Sequence, residues 1–400
     1  MNNKIAKRLE NVSESATLKL NSAVQEMKAA GIDVVNFSTG EPDFAPPEEA
    51  KTSVIDAVNR NQSKYTPASG ILELRTLIAK KTNSQQPDLI SPWRSSDVIV
   101  SNGGKQALFN TFLALINPGD KVLIPSPFWI SYPEMVKLAG GVPVLIKTSF
   151  ENEFKLNSDD LRTALELNAD AKMIVLNSPN NPTGSLYSKD EYQELGAVIS
   201  AAKNKIWVVS DEIYDRILLS EAPFSSFLSA CPGLQEQTIT INGLSKSAAM
   251  TGWRLGWSVS PSEVAQAIAT IQGQSSSGVC SLAQTAGIAA LKIPEENFSW
   301  QVHKYKSRKK LALGILGQAK KLRICDPKGA FYLFIGVGSY LGDGEDSVSF
   351  AERLLQEAKV AVVPGTPFGE PNFIRISFAT DEKTITEGCN RIVSFLSSLD

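Results

Sequence analysis

The chain has 400 residues, of which 42 % are hydrophobic and 20 % charged, and carries a formal net charge of −2. This length suits two or three domains, or a large domain with a smaller one, and the near-neutral balance gives no general attraction to nucleic acid or anionic lipid. The single histidine, His303, removes Ser–His–Asp hydrolases, Cys–His proteases and most histidine-rich metal sites from consideration.

From the amino terminus, "MNNKIAKRLENVSESATLKLN" lacks the apolar core of a signal peptide, and no later stretch reaches the roughly 18 apolar residues of a membrane span. Short apolar, β-branched runs at 97–101, 121–125, 142–146, 172–177, 206–212, 238–242 and 254–260 read as strands. Helices lie between several of them, such as 105–116, where Leu108, Phe112, Leu115 and Ile116 repeat on one face. The alternation predicts an α/β fold with a mainly parallel seven-stranded sheet covered by helices on both faces. The last hundred residues differ. A long charged helix near 296–320, runs at 330–337, 360–364 and 373–379, a helix near 348–358 and a closing helix read as a smaller α+β domain. His303 falls in the basic "WQVHKYKSRKK" and reads as a solvated side chain. Cys231, Cys280, Cys325 and Cys389 lie far apart, with no spacing suited to zinc or a disulfide framework, so no metal and a reducing cytoplasmic setting are expected.

Ligands of open α/β sheets bind outside the carboxyl ends of the strands, and four polar clusters follow four of these runs. "SNGGKQ" puts Gly103, Gly104 and Lys105 at a helix start, either as an anion site or as an ordinary turn capped by Ser101 or Asn102. "SPNNPTG" supplies Asn177, Asn180 and Asn181 beside a tight turn. "SDEIYD" ends a buried strand with Asp211 and Tyr214. Asp211 is either a helix cap or salt-bridge partner, or a carboxylate that keeps a heteroaromatic nitrogen protonated. "NGLSKSAAMTGWRLGW" sets Lys246 among small residues, with Arg254 eight positions on. A lysine with a lowered pKa forms an imine with a carbonyl, and Arg254 with Ser245 could hold a phosphate. An aldehyde, a phenolate oxygen, a pyridine nitrogen and a phosphate are the polar features of pyridoxal 5′-phosphate, and the chain offers a partner for each.

These clusters, with "STGEPDF", "KYTPASGILELR", "SPFWISYPEMV", "VVPGTPFG" and "RISFA", resemble the class I/II aminotransferases of the fold-type I pyridoxal-phosphate family. The likeness is greatest to the bacterial aspartate aminotransferase subgroup and covers nearly the whole chain. It implies an N-terminal segment, 1–45, belonging to the small domain, a large cofactor-binding domain, 46–294, and a small domain, 295–400. It implies that Lys246 is the Schiff-base lysine and proton shuttle and that Asp211 partners the pyridinium. Tyr214 and Asn181 then lie on the 3′-oxygen, and Trp129 stacks on the ring. Gly103 and the amides of Gly104 and Lys105, with Ser245 and Arg254, form the phosphate cup. Tyr65 reaches the phosphate from a neighbouring subunit, so a homodimer with shared sites is implied. Arg375 clamps the substrate carboxylate, and Gly40 belongs to the segment that closes over substrate. Lys105, with Thr17 or Ser15, is the candidate for a distal carboxylate, or Lys105 only neutralises the phosphate. Phe128 and Gly243 depart from the family pattern, where many relatives carry Tyr and some carry a phosphate-binding Ser.

The expected reaction is transamination between L-aspartate and 2-oxoglutarate, giving oxaloacetate and L-glutamate. The alternatives are a prephenate, aromatic or alanine-type aminotransferase, or an elimination or aminocyclopropane-carboxylate-synthase-like lyase on the same fold. Small-molecule amino and oxo acids, and neither nucleic acid nor membrane, are the expected partners.

Overall fold

A computed structural model describes residues 6–13 and 16–399 of the chain. Strand β1 (Val35–Asn36) precedes the main sheet. That sheet is built from β2 (Val98–Asn102), β3 (Lys121–Ser126), β4 (Val142–Lys147), β5 (Ala171–Asn177), β6 (Trp207–Asp211), β7 (Thr238–Gly243) and β8 (Leu255–Val259). Its order is β2-β8-β7-β6-β5-β3-β4. Pairs β3–β4, β3–β5, β5–β6 and β6–β7 are parallel. The seven expected strands all form, with ends shifted by a residue or two. β8 runs antiparallel to both neighbours, β2 and β7, so β2 runs in the same direction as β7.

The central strands are buried on both faces, which is why they read as continuous apolar runs. Ile174 and Leu176 of β5 and Val208 of β6 enter one apolar cluster. Met173 and Val175 of β5 and Val209 of β6 enter another, with Phe112 of the helix Gly104–Leu115. The period of two along each strand thus supplies both cores, and each buried aliphatic side chain contributes about 1.5–3 kcal/mol.

The C-terminal part holds β9 (Arg323–Cys325), β10 (Tyr332–Gly336), β11 (Val360–Ala361), β12 (Val363–Pro364) and β13 (Phe373–Ser377). Four of them form an antiparallel sheet in the order β12-β13-β10-β9. The run 360–364, expected as one strand, is divided at Val362: β11 pairs in parallel with β1, and β12 joins β13. Val35 and Phe37 lie in the same apolar cluster as Tyr305, Leu333 and Phe395. The charged helix is Ser299–Leu316, preceded by a 3-10 turn at Glu295–Phe298, and is shorter than the expected 296–320. His303 is exposed on it, its Nδ1 2.8 Å from the Ser299 carbonyl oxygen. No helix among the described residues is long and apolar enough to cross a membrane.

Candidate active site

Because β2, β5, β6 and β7 run in one direction, their carboxyl ends meet along one edge of the sheet. The antiparallel β8 begins at that same edge. A cavity of about 320 Å³ lies there, within the usual range for small-molecule sites. Its walls include Gly104 and Lys105 after β2, Trp129 and Tyr132 after β3, and Asn177 and Asn181 at β5. Asp211 and Tyr214 line it from β6, Ser245 and Lys246 from beyond β7, and Arg254 from just before β8. The C-terminal sheet contributes Tyr332 and Arg375, and the N-terminal segment contributes Gly40.

Lys246 sits on a one-turn helix, Leu244–Ser247, and its Nζ donates to the Gly40 carbonyl at 2.5 Å. Burial pushes its pKa down from 10.5 to about 8; Glu41 opposes that shift, and Arg375 and Arg254 reinforce it. The direction agrees with the sequence-based expectation of a lysine kept partly neutral. Asp211, the last residue of β6, is buried, and burial raises its pKa from 3.8 to about 6. Its Oδ2 accepts from the Tyr132 hydroxyl at 2.6 Å, and its Oδ1 from the Ile213 amide at 3.2 Å. Asp211 bonds no cation among the described residues. The Asn177 amide donates to the Asp211 carbonyl at 2.9 Å and accepts from the Asn181 backbone at 2.9 Å, which ties β5 to β6 at the crevice.

Arg375, on β13, is buried, and desolvation lowers its pKa. Nη1 donates to Asn181 Oδ1 and Nη2 to the Ser38 carbonyl, each at 2.9 Å. Its Nε has no partner among the described residues, and its guanidinium lies 4.4 Å from the Tyr332 ring centroid. With Oδ1 of Asn181 engaged, that amide keeps its N–H donors for a ligand. Tyr214 and Tyr332 share a hydroxyl–hydroxyl hydrogen bond of 2.8 Å.

After β2, the helix Gly104–Leu115 starts with Gly103 as its cap, with no side-chain capping bond from Ser101 or Asn102. Gly103 has φ +82°, and a Cβ there would stand 2.7 Å from Arg254 Nη2, so glycine lets the guanidinium lie against the turn. Arg254 has φ +55° and donates to the carbonyls of Thr251 at 2.8 Å and Asn102 at 3.3 Å. Helix amide groups and an arginine fork converge here, an arrangement suited to an anion. Gly243 explains its own departure from the family pattern. A Cβ would lie 2.9 Å from the Leu255 carbonyl oxygen and 3.0 Å from Gly256 Cα, too close for a serine. Lys105 Nζ lies 5.0 Å from the Trp129 ring centroid; burial, and then Arg254, lowers its pKa.

Of the residues singled out in the sequence, Tyr65 stands apart: it is fully exposed and does not line the cavity. Gly103 lies directly behind the lining residue Gly104. Ser15 and the side chain of Thr17 lie outside the described residues. Tyr132 and Tyr332 were missed. Tyr132 lies on the buried side of the helix Ser131–Leu138, and Tyr332 sits in a strand whose other residues are also buried, so each reads as core.

A family model described as "Aminotransferase class I and II" matches residues 32–392. A protein from Rhizobium leguminosarum bv. phaseoli named "Probable aspartate/prephenate aminotransferase" is 40 % identical, with 98 % of each chain covered. "Aspartate aminotransferase" from Geobacillus stearothermophilus is 38 % identical, with 99 % of each covered. Among solved structures, aspartate aminotransferase from Thermus thermophilus with maleate superposes with a TM-score of 0.90 at 37 % identity, over 98 % of this chain and 99 % of that one.

Proposed function

From the premise that the chain belongs to the class I and II aminotransferases, we propose that it transfers the amino group of L-aspartate to 2-oxoglutarate, giving oxaloacetate and L-glutamate. The observation that carries this reading is the joint presence, in one cavity, of a desolvated lysine near neutrality, a buried carboxylate bonded to no cation, and a buried arginine with an unused donor.

The residues fit pyridoxal phosphate. Asp211 has a buried charge that a protonated ring nitrogen would compensate, and the Gly104 helix start with Ser245 and Arg254 suits its phosphate. Tyr214 and the Asn181 amide would hold the 3′-oxygen, and Trp129 would cover one ring face. When bound, the cofactor supplies an aldehyde that takes up the amino group and a ring that withdraws electrons. Arg375 orients the substrate through its α-carboxylate, with the guanidinium fork fixing direction as well as charge. Lys246 Nζ takes the α-proton and later returns a proton; with its pKa near 8, a sizeable neutral fraction exists at physiological pH. Asp211 stays ionised above about pH 6 and holds negative charge in the cavity wall at the end of β6.

The dicarboxylate preference is supported by Lys105, a cation at the cavity wall, and by the maleate of the Thermus thermophilus structure. A second reading, prephenate as amino acceptor, is favoured by the name of the Rhizobium relative. A neighbouring cavity of about 690 Å³ also supports it, because it shares Lys105 and Ile130 with the first and adds Phe109 and Met135. A panel of amino donors tests the main proposal: aspartate and glutamate should convert the loaded enzyme fastest. Phenylalanine or alanine outpacing both would overturn it.

Tyr132 should set the acid limit of cofactor binding. Its hydroxyl lowers the Asp211 pKa against the dominant effect of burial. In Tyr132→Phe that pKa rises further, so Asp211 loses its charge at a higher pH. Cofactor affinity, measured by equilibrium dialysis between about pH 5 and about pH 8, should weaken at higher pH in the variant than in the wild type. Superimposable profiles would contradict this.

We also infer a homodimer in which Tyr65 of one copy contacts the phosphate held by the other, and a cytoplasmic setting that matches four free cysteines.

A further inference from the structure

Tyr65 lies on the loop between the helices Glu48–Asn59 and Leu72–Gln85. Its side chain is fully exposed, and no hydrogen bond holds its hydroxyl within the described chain. Exposed loops are ordinarily loose, yet the residues that follow Tyr65 are pinned from below by two buried amides. Gln284 donates from Nε2 to Thr66 Oγ1 at 2.9 Å and to the Val279 carbonyl at 2.8 Å, and its Oε1 accepts from the Ile71 amide at 2.7 Å. Gln272 donates from Nε2 to the carbonyls of Ala68 at 2.5 Å and Val100 at 2.6 Å. Its Oε1 accepts from Ser101 Oγ at 2.6 Å and Asn110 Nδ2 at 3.1 Å. The Val100 amide donates to the Ser69 carbonyl at 3.0 Å, which completes the attachment to β2.

Both glutamines are fully buried. A buried amide that uses both N–H donors and its oxygen favours one local geometry, because any displacement leaves a polar group unsatisfied in a low-dielectric interior. The fixed geometry serves no contact of Tyr65 among the described residues. The flanking helices also expose Ile55, Val58 and Leu72, apolar surface suited to a second copy.

We propose that Gln284 and Gln272 are positioning residues that clamp the Thr66–Ile71 segment and so present Tyr65 in a fixed direction to the phosphate site of a second copy of the chain. This rests on the reading of Tyr65 given above. Holding the loop in advance removes the ordering cost that Tyr65 would otherwise meet on each binding event.

The test is a double-mutant cycle on the full-length protein, read by the dissociation constant of pyridoxal phosphate and by molecular mass in solution. Tyr65→Phe should weaken cofactor binding about tenfold or more, the usual loss for a hydrogen bond to a charged group. Gln284→Met should weaken it severalfold in the wild-type background and have no further effect in the Tyr65→Phe background, with the dimer mass unchanged. Equal losses in both backgrounds, or no loss in the first, would overturn the clamp. If Gln284→Met fails to fold, Thr66→Val removes one bond of the clamp, and Thr66→Ser should restore affinity; failure of that rescue also counts against it. An unchanged affinity in Tyr65→Phe would instead overturn the reading of Tyr65 itself, and the clamp with it.

Discussion

Lys246→Ala is expected to lower the rate of each half-reaction by about 10⁴-fold or more, because one amine serves both as covalent anchor and as proton carrier. Single-turnover mixing of the cofactor-loaded variant with aspartate measures this. Borohydride should fix the cofactor covalently to the wild-type protein and leave the variant unlabelled. The cofactor-free protein supplies an independent check on the amine's environment. The folded-state pKa of Lys246 is lowered to about 8 from 10.5, so the unfolded chain holds the proton more tightly. The resulting penalty on the fold is complete below about pH 8 and is relieved as pH rises toward 10.5. Stability of the apoprotein should therefore gain less between those limits in the variant than in the wild type. A variant with wild-type turnover would exclude Lys246 from the chemistry.

Arg375→Ala should cost about 10²–10³-fold in kcat/KM for amino and oxo acids, the loss of one or two charge-assisted hydrogen bonds to a carboxylate. Most of it should fall on KM, and cofactor affinity should change little. The reason is geometric: Arg375 reaches the cavity from β13, on a different element from the helix start proposed for the phosphate, and its Nε donor has no partner among the described residues. Arg375→Lys should recover only part of the loss, since an ammonium keeps charge but not the planar fork. Equal KM values for wild type and Arg375→Ala would move the carboxylate site elsewhere.

Much of the main sheet was legible because its central strands are buried on both faces, and such strands appear as unbroken apolar runs between helical patterns. The direction of β8 was not legible, since residue type and periodicity carry no sense of which way a strand runs. The three-residue β9 begins with exposed Arg323 and gives no apolar run at all. The run 360–364 hid a change of partner, because β11 and β12 are alike in residue type and differ only in what they pair with. In the site, Asp211 and Arg254 could be found because each stands at a strand boundary, and Lys246 and Asn181 because each lies within a turn of one, where a polar residue is conspicuous. Arg375 lies inside a buried strand and was placed by resemblance alone. Tyr132 and Tyr332 escaped notice because a buried tyrosine and a core aromatic look the same until the partner of the hydroxyl is known. Tyr65 could be read only through resemblance, since it is fully exposed and no partner for its hydroxyl lies among the described residues.

The return of the chain from β7 into the antiparallel β8 makes the distance between Lys246 and Arg254 a matter of counting. Both residues face the cavity only because the connection leaves and re-enters the sheet at the same edge, with Gly243 paired to Gly256 at its base. The segment therefore behaves as a ruler whose length is set in whole residues. Substitutions within it can be absorbed by local repacking, whereas a single inserted or deleted residue shifts the register of one anchor against the other. Surface loops ordinarily tolerate changes in length, whereas in this connection a one-residue insertion or deletion should itself disrupt the site.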